Sequence, residues 1–155
     1  LTTSIEAGKT FGEVPLSLLN VVPGNQTYFS IYNTFSQLDF YEFVTDTYTS
    51  MHIEHNFNGR IFSRIPFLKK YNLRAIMSLR GVWGELSDEN IALNTTGNPV
   101  EIPLMAPDKD IYYEYSFGVA NIFKILRIDF NFRGNYLDNP DVRRFGVTGS
   151  FGFYF

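Results

Sequence analysis

The sequence contains no cysteine, which removes disulfide bonds, thiolate metal sites and cysteine nucleophiles from consideration. No apolar stretch approaches the ~20 residues that a transmembrane helix needs. Positive charge is scarce: 13 Lys and Arg stand against 16 Asp and Glu, a formal net charge of -3. A nucleic-acid partner calls for a basic surface. The basic residues are also unevenly placed, with no Lys or Arg between residues 13 and 46 and no arginine before Arg60. No Gly-rich phosphate loop, Ser/His/Asp set or paired-carboxylate constellation stands out. An enzyme activity, a cofactor and a nucleic-acid partner are all left without support.

What the chain has in abundance is aromatic residues, 16 Phe and 10 Tyr. They fall in a regular pattern near the end. Over residues 126–136 the apolar positions are Leu126, Ile128, Phe130, Phe132 and Tyr136, interleaved with Arg127, Asp129, Asn131, Arg133 and Asn135. Alternation resumes with Phe145, Val147, Phe151, Phe153 and Phe155 against Gly146, Thr148, Ser150, Gly152 and Tyr154. Side chains alternate across a strand, so each segment has one apolar face and one polar face. The apolar face is heavily aromatic, as in the closing strands of an outer-membrane β-barrel with phenylalanines toward lipid and charges toward a wet lumen. The predicted fold class is therefore all-β, a transmembrane antiparallel β-barrel.

Four further segments alternate in the same way: residues 1–11, 47–57, 71–83 and 111–123. Ile76 and Val82 interrupt the polar face of the third of these. Asn58-Gly59 marks a turn, and residues 60–70 mix basic and apolar side chains, as an amphipathic turn or a hairpin tip would. Residues 84–110 read as a polar loop. Residues 13–46 have no sustained period, carry Pro15, Pro23 and Gly24-Asn25, and are rich in Leu, Val, Phe and Tyr. A structureless connection of that length is uncommon, and its apolar content predicts that residues 12–46 fold into a lumen or over a barrel mouth. If residue 155 ends at the periplasmic side, the connections 12–46, 84–110 and 136–144 lie outside the cell. Six strands fall short of the usual minimum of eight for this barrel class. The alternation also starts at Leu1 with no initiator methionine or leader, so the chain reads as residues 1–155 of the C-terminal part of a larger barrel.

Several stretches carry a resemblance. Pro23-Gly24-Asn25-Gln26-Thr27-Tyr28, Phe40-Tyr41-Glu42-Phe43-Val44-Thr45-Asp46, His55-Asn56-Phe57-Asn58-Gly59 and Arg64-Ile65-Pro66-Phe67-Leu68-Lys69-Lys70 resemble an uncharacterised family. Its members are Gram-negative outer-membrane proteins with an N-terminal carboxypeptidase-regulatory-like domain and a C-terminal barrel. The layout is similar, more distantly, to the last six strands of the sixteen-stranded outer-membrane assembly barrels (the BamA-like superfamily), whose long loop folds back into the lumen. That loop carries an arginine-containing motif, whereas this chain has no arginine between residues 1 and 59. The resemblance implies an outer-membrane location and a role in envelope transport, assembly or scaffolding. The implied partners are outer-membrane lipid, the barrel-assembly machinery and other envelope proteins of a complex.

Alternation assigns the site residues. His52, Glu54, Arg74, Arg80, Glu114, Arg127, Asp129 and Arg133 are predicted to face a lumen, and Phe130, Phe132, Phe151 and Phe153 to face lipid. Phe155, as a terminal aromatic, resembles the signal read by the barrel-assembly machinery. His52-Ile53-Glu54-His55 invites a metal, but alternation puts His55 on the opposite face from His52 and Glu54, so three ligands cannot converge locally. The alternative from another class is a soluble lipocalin-like barrel that holds a small apolar ligand.

Overall fold

A computed structural model describes residues 1–95, 104–139 and 142–153. The alternating segments form the long strands: β1 (Thr2–Lys9), β4 (Thr47–Asn56), β5 (Arg74–Glu85), β6 (Tyr112–Ile122), β7 (Leu126–Arg133) and β8 (Phe145–Phe151). They make one antiparallel sheet in the order β1-β4-β5-β6-β7-β8, in which each strand pairs with the next long strand of the chain. The sheet is open among the described residues, with β1 and β8 at its edges.

Register carries the alternation across the whole sheet. His52, Arg80, Glu114 and Arg133 are successive partners on one face, and Ile53, Leu79, Tyr115, Phe132 and Phe145 on the other. A one-residue slip would exchange the two faces. The turns use residues that tolerate left-handed backbone: Asn58 and Asn72 flank the β4–β5 connection, with φ of 54 and 51°. The predicted β5 start at residue 71 moves to Arg74, because residues 57–71 fold into three short 3-10 turns. β7 ends at Arg133, before Gly134 and a left-handed Tyr136 (φ 52°), rather than running to 136.

The long connection between β1 and β4 is folded. It holds a 3-10 turn at Leu16–Leu18 and a short ladder between β2 (Asn20–Val21) and β3 (Val44–Thr45). Its apolar side chains meet the sheet in a small core of Val22, Phe35, Leu38 and Phe43 against Val82 and Tyr112. The Tyr112 ring lies edge-on to Phe35 and Phe43, with centroids at 5.5 and 5.4 Å. Gly24 is required there, since a Cβ would stand 2.5 Å from the Leu38 carbonyl oxygen. This core lies on the sheet face that also bears the charges.

One expectation fails. The span predicted as a polar loop contains a helix, α1 (Asp88–Thr95). Asp88 and Glu89 sit in its first turn, where negative charge suits the helix dipole. Asn90 accepts the Val14 N–H (2.9 Å), Asn94 accepts the Leu16 N–H (2.6 Å), and Asn94 donates to the Val14 carbonyl (3.0 Å). The helix therefore binds the loop through asparagines instead of an apolar stripe, and no helical hydrophobic period exists to be read.

Candidate functional site

The sheet is inverted relative to a soluble sandwich: its buried face is polar and its open face apolar. Along β7, Arg127, Asp129, Asn131 and Arg133 are buried, while Phe130 between them is 37 % exposed. Along β6, Glu114 and Ser116 are buried, while Tyr113, Tyr115 and Phe117 are exposed. Phe151 and Phe153 are exposed as well. Phe132 shares the open face but is half-buried by its neighbours, stacked on Tyr115 at 5.3 Å with Phe145 at 5.1 Å. Phe155 lies outside the described residues.

The folded connection covers the polar face through three attachments. At the centre, Glu114 accepts the backbone N–H groups of Ser36 and Gln37, both at 2.8 Å, and the Tyr112 hydroxyl at 2.7 Å. Arg80 adds an ion pair to Glu114 at 3.9 Å and donates to Ser36 Oγ at 3.0 Å. Arg133 binds both oxygens of Glu42, at 2.7 and 3.1 Å, and lies over the Tyr112 ring at 4.9 Å. Arg143 donates to the carbonyls of Leu38 and Asn25, at 2.9 and 3.3 Å. Guanidinium groups suit this task because their fork of donors satisfies carboxylates and carbonyls together.

At the outer end, Asp46 accepts the Ser87 N–H (2.8 Å) and the Asn90 amide (3.2 Å), tying the loop to the start of α1. Burial pushes the Asp46 carboxyl up, but hydrogen bonds from Ser87, Asn90 and Thr47 outweigh it and hold the group below its ordinary value of 3.8. At the β8 edge, Ser30 Oγ lies 2.9 Å from Thr148 Oγ1 and donates to Asp129 at 3.3 Å.

Of the eight polar residues singled out by alternation, seven fall into two sets of contacts: His52, Arg80 and Glu114, with Arg133 joined to them through Gln37 and Tyr112, and Glu54, Arg127 and Asp129. Arg127 donates from Nε to both oxygens of Asp129 (2.9 and 2.8 Å) and from Nη2 to Glu54 (2.7 Å). Gly118 makes the room, since a Cβ there would collide with Asp129 Oδ1. Arg80 Nε donates to His52 Nε2 at 3.1 Å, so that nitrogen carries no proton and its lone pair is engaged. Arg74 stands apart, at the turn end of β5, and reaches Asn58 at 3.3 Å. Among the described residues, no group of three His, Cys, Asp or Glu side chains could hold a metal ion.

On the β1–β4 side the cover is incomplete. Cavities of about 230 and 300 Å3 flank His52, and Tyr32, whose ring lies 6.3 Å from that of His52, lines the second. Both have Arg80 in their walls.

Alternation puts Tyr112 on the polar face beside Glu114 but missed Glu42 and Ser36, loop residues that complete the site. Two signals pointed to them. The loop has acids but no Lys or Arg, matching a sheet face that supplies Arg133 to Glu42. Val82, one of the residues breaking the polar alternation, belongs to the core that Val22 and Phe35 enter.

Residues 18–89 match the model of a family of unknown function, the DUF5686 C-terminal domain. The matched stretch takes in most of the loop, β4, β5 and the beginning of α1. Comparison with curated proteins and with solved structures finds no match.

Proposed function

We propose that this sheet is part of the wall of an outer-membrane β-barrel. Its covered polar face lines the lumen, its open aromatic face meets lipid, and residues 12–46 are a plug seated in that lumen. Such a protein serves envelope transport or assembly, or acts as a scaffold subunit of an envelope complex. The single observation that carries this reading is the inversion: charged residues buried under a loop, and exposed Phe, Tyr, Leu and Met on the opposite face. Lipid-facing strands are selected for that pattern, with polar residues turned to the interior. A soluble lipocalin-like barrel would put its apolar residues inside.

The reading makes lipid the partner of the open face and the barrel-assembly machinery the partner of the closing strands. The chain offers a clean test because it has no cysteine. Single substitutions Met77→Cys, Phe130→Cys and Ser50→Cys in the full chain, each carrying a fluorescent label, are compared in membranes containing brominated lipid. Labels at positions 77 and 130 should be quenched, and the label at position 50 should not. Equal labelling of all three by a membrane-impermeant maleimide, without quenching, would refute the membrane assignment and favour the soluble barrel.

A further inference from the structure

The outer edge of β8 carries no charge and no proline: it reads Phe145-Gly146-Val147-Thr148-Gly149-Ser150-Phe151. Soluble proteins guard an exposed edge with charges, prolines or bulges, because its free N–H and C=O groups are a template for another strand. Here one position is already taken by the chain itself. Gly149 donates its N–H to the Tyr28 carbonyl at 2.8 Å and accepts the Ser30 N–H at 2.9 Å, so Phe29 pairs with Gly149 as a parallel bridge. The facing is that of a true strand. Ser30 reaches Thr148 and Asp129 on the covered side, and alternation puts Phe29 on the open side, where Gly149 leaves a gap in the apolar surface. The occupant is minimal, however, and Tyr28, Phe29 and Tyr32 stay largely exposed, at 86, 60 and 74 %.

We propose that the β8 edge is a strand-docking site at which residues 28–30 act as a resident placeholder, displaced when an antiparallel wall strand pairs with β8. The partner is an extended segment alternating apolar and small polar residues. Its apolar side chains continue the rows that end at Phe145 and Val147, and its small residues sit beside Gly146, Thr148 and Ser150. Gly149 directs both backbone groups outward, so by the antiparallel pattern residues 145, 147 and 151 do the same. A full strand therefore gains several ladder bonds where the placeholder makes two. Both cannot hold Gly149 at once.

The inference rests on the barrel reading, and a disulfide test separates the two. Neighbouring strands lie about 4.8 Å apart, within disulfide reach. A Cβ at Gly149 meets only the Arg127 carbonyl oxygen, at 3.5 Å. The full chain carrying Phe29→Cys with Gly149→Cys is oxidised before folding into detergent or vesicles. Closure is read as the fast-migrating, heat-modifiable band on unheated gels. The control pair is Val21→Cys with Val44→Cys, partners within the loop and away from the edge. The expected result is loss of the fast band for the oxidised edge pair, its return on reduction, and no effect of oxidation on the control pair. Closure of the oxidised edge pair to the level of its reduced form overturns the docking proposal, and so does failure of that disulfide to form in unclosed protein. Absence of a fast band from the wild-type protein extracted unheated from its native membrane refutes the barrel reading itself.

Discussion

Replacing Glu114 by alanine tests whether the loop is held by designed chemistry or merely lies on the sheet. The carboxylate is 1 % exposed and holds the Ser36 and Gln37 N–H groups, the Tyr112 hydroxyl and Arg80. Its removal strands three donors and leaves a nearly buried guanidinium without its carboxylate. Each orphaned buried group costs about 1–3 kcal/mol, and breaking a buried pair by deleting one partner costs about 3–5 kcal/mol. These describe overlapping effects, and Arg80 keeps its bonds to Ser36 and His52, so about 3–5 kcal/mol is the expected total. The loop bears this loss, because the β6 backbone ladder is untouched. At tenfold per 1.4 kcal/mol, the open population should rise on the order of 100- to several-thousand-fold. Amide hydrogen exchange at Ser36 and Gln37, with limited proteolysis across residues 15–35, reads this directly. Glu114→Gln keeps an acceptor and should fall between the two. Unchanged protection of Ser36 and Gln37 in Glu114→Ala would refute the reasoning, as would equal acceleration in the β5 and β6 strand amides.

Four further outcomes are expected. On the barrel reading, Phe130→Arg should cost about 2–4 kcal/mol and Phe151→Arg only about 0–1 kcal/mol in reversible unfolding from vesicles. Phe130 is mid-strand, whereas Phe151 pairs with Leu126 beside the turn. Gly118→Ala should destabilise by about 1–3 kcal/mol and break the Arg127–Asp129 pair, measurable by denaturant titration and by the arginine side-chain NMR signals. Asp46 is held below its ordinary 3.8, so its contribution is fully present above the carboxylate range and is lost as pH falls through and below it. Protection of the Ser87 amide should follow that course, and Asp46→Asn should abolish the pH dependence. Arg133→Lys should raise proteolysis near Glu42, because an ammonium cannot bridge both Glu42 oxygens and the Asn135 and Tyr136 carbonyls together.

The long strands were legible because period-two alternation is a local property, and β7 states it without interruption, as β6 does as far as Val119. The pairing of charges was half legible. Alternation put Arg80, Glu114 and Arg133 on one face, but which carboxylate each arginine binds depends on where a non-periodic loop comes down. Glu42 gives no local sign that it will lie 91 positions from its partner Arg133. The helix at residues 88–95 was hidden for a different reason. Its one buried position is Asn90, and Asn90 and the half-buried Asn94 serve hydrogen bonds to Val14 and Leu16, so neither amphipathic period nor propensity marks it. Parity within residues 111–123 puts Tyr112 on the face of Glu114. That it anchors an aromatic core followed only once Phe35 and Phe43 were placed against it.

The three loop attachments differ in strength, and the difference orders their release. The outer one joins Asp46, Asn90 and Asn94 to backbone and side chains on α1 and the loop. The central one combines two loop N–H groups on Glu114 and the Arg133–Glu42 pair with an aromatic and aliphatic core. The edge contact has two backbone hydrogen bonds and the Ser30 hydroxyl, with little apolar burial behind it. A hydrogen bond of this kind contributes about 0.5–1.5 kcal/mol net, so the edge detaches for a few kcal/mol while the centre stays seated. Ordered this way, residues 28–30 can leave β8 without unplugging Arg133 from Glu42. The first amides to lose protection under mild destabilisation should therefore be those of Ser30 and Gly149, ahead of Ser36 and Gln37. The reverse order would mean that the edge strand, and not the glutamate-centred network, is what holds the loop in place.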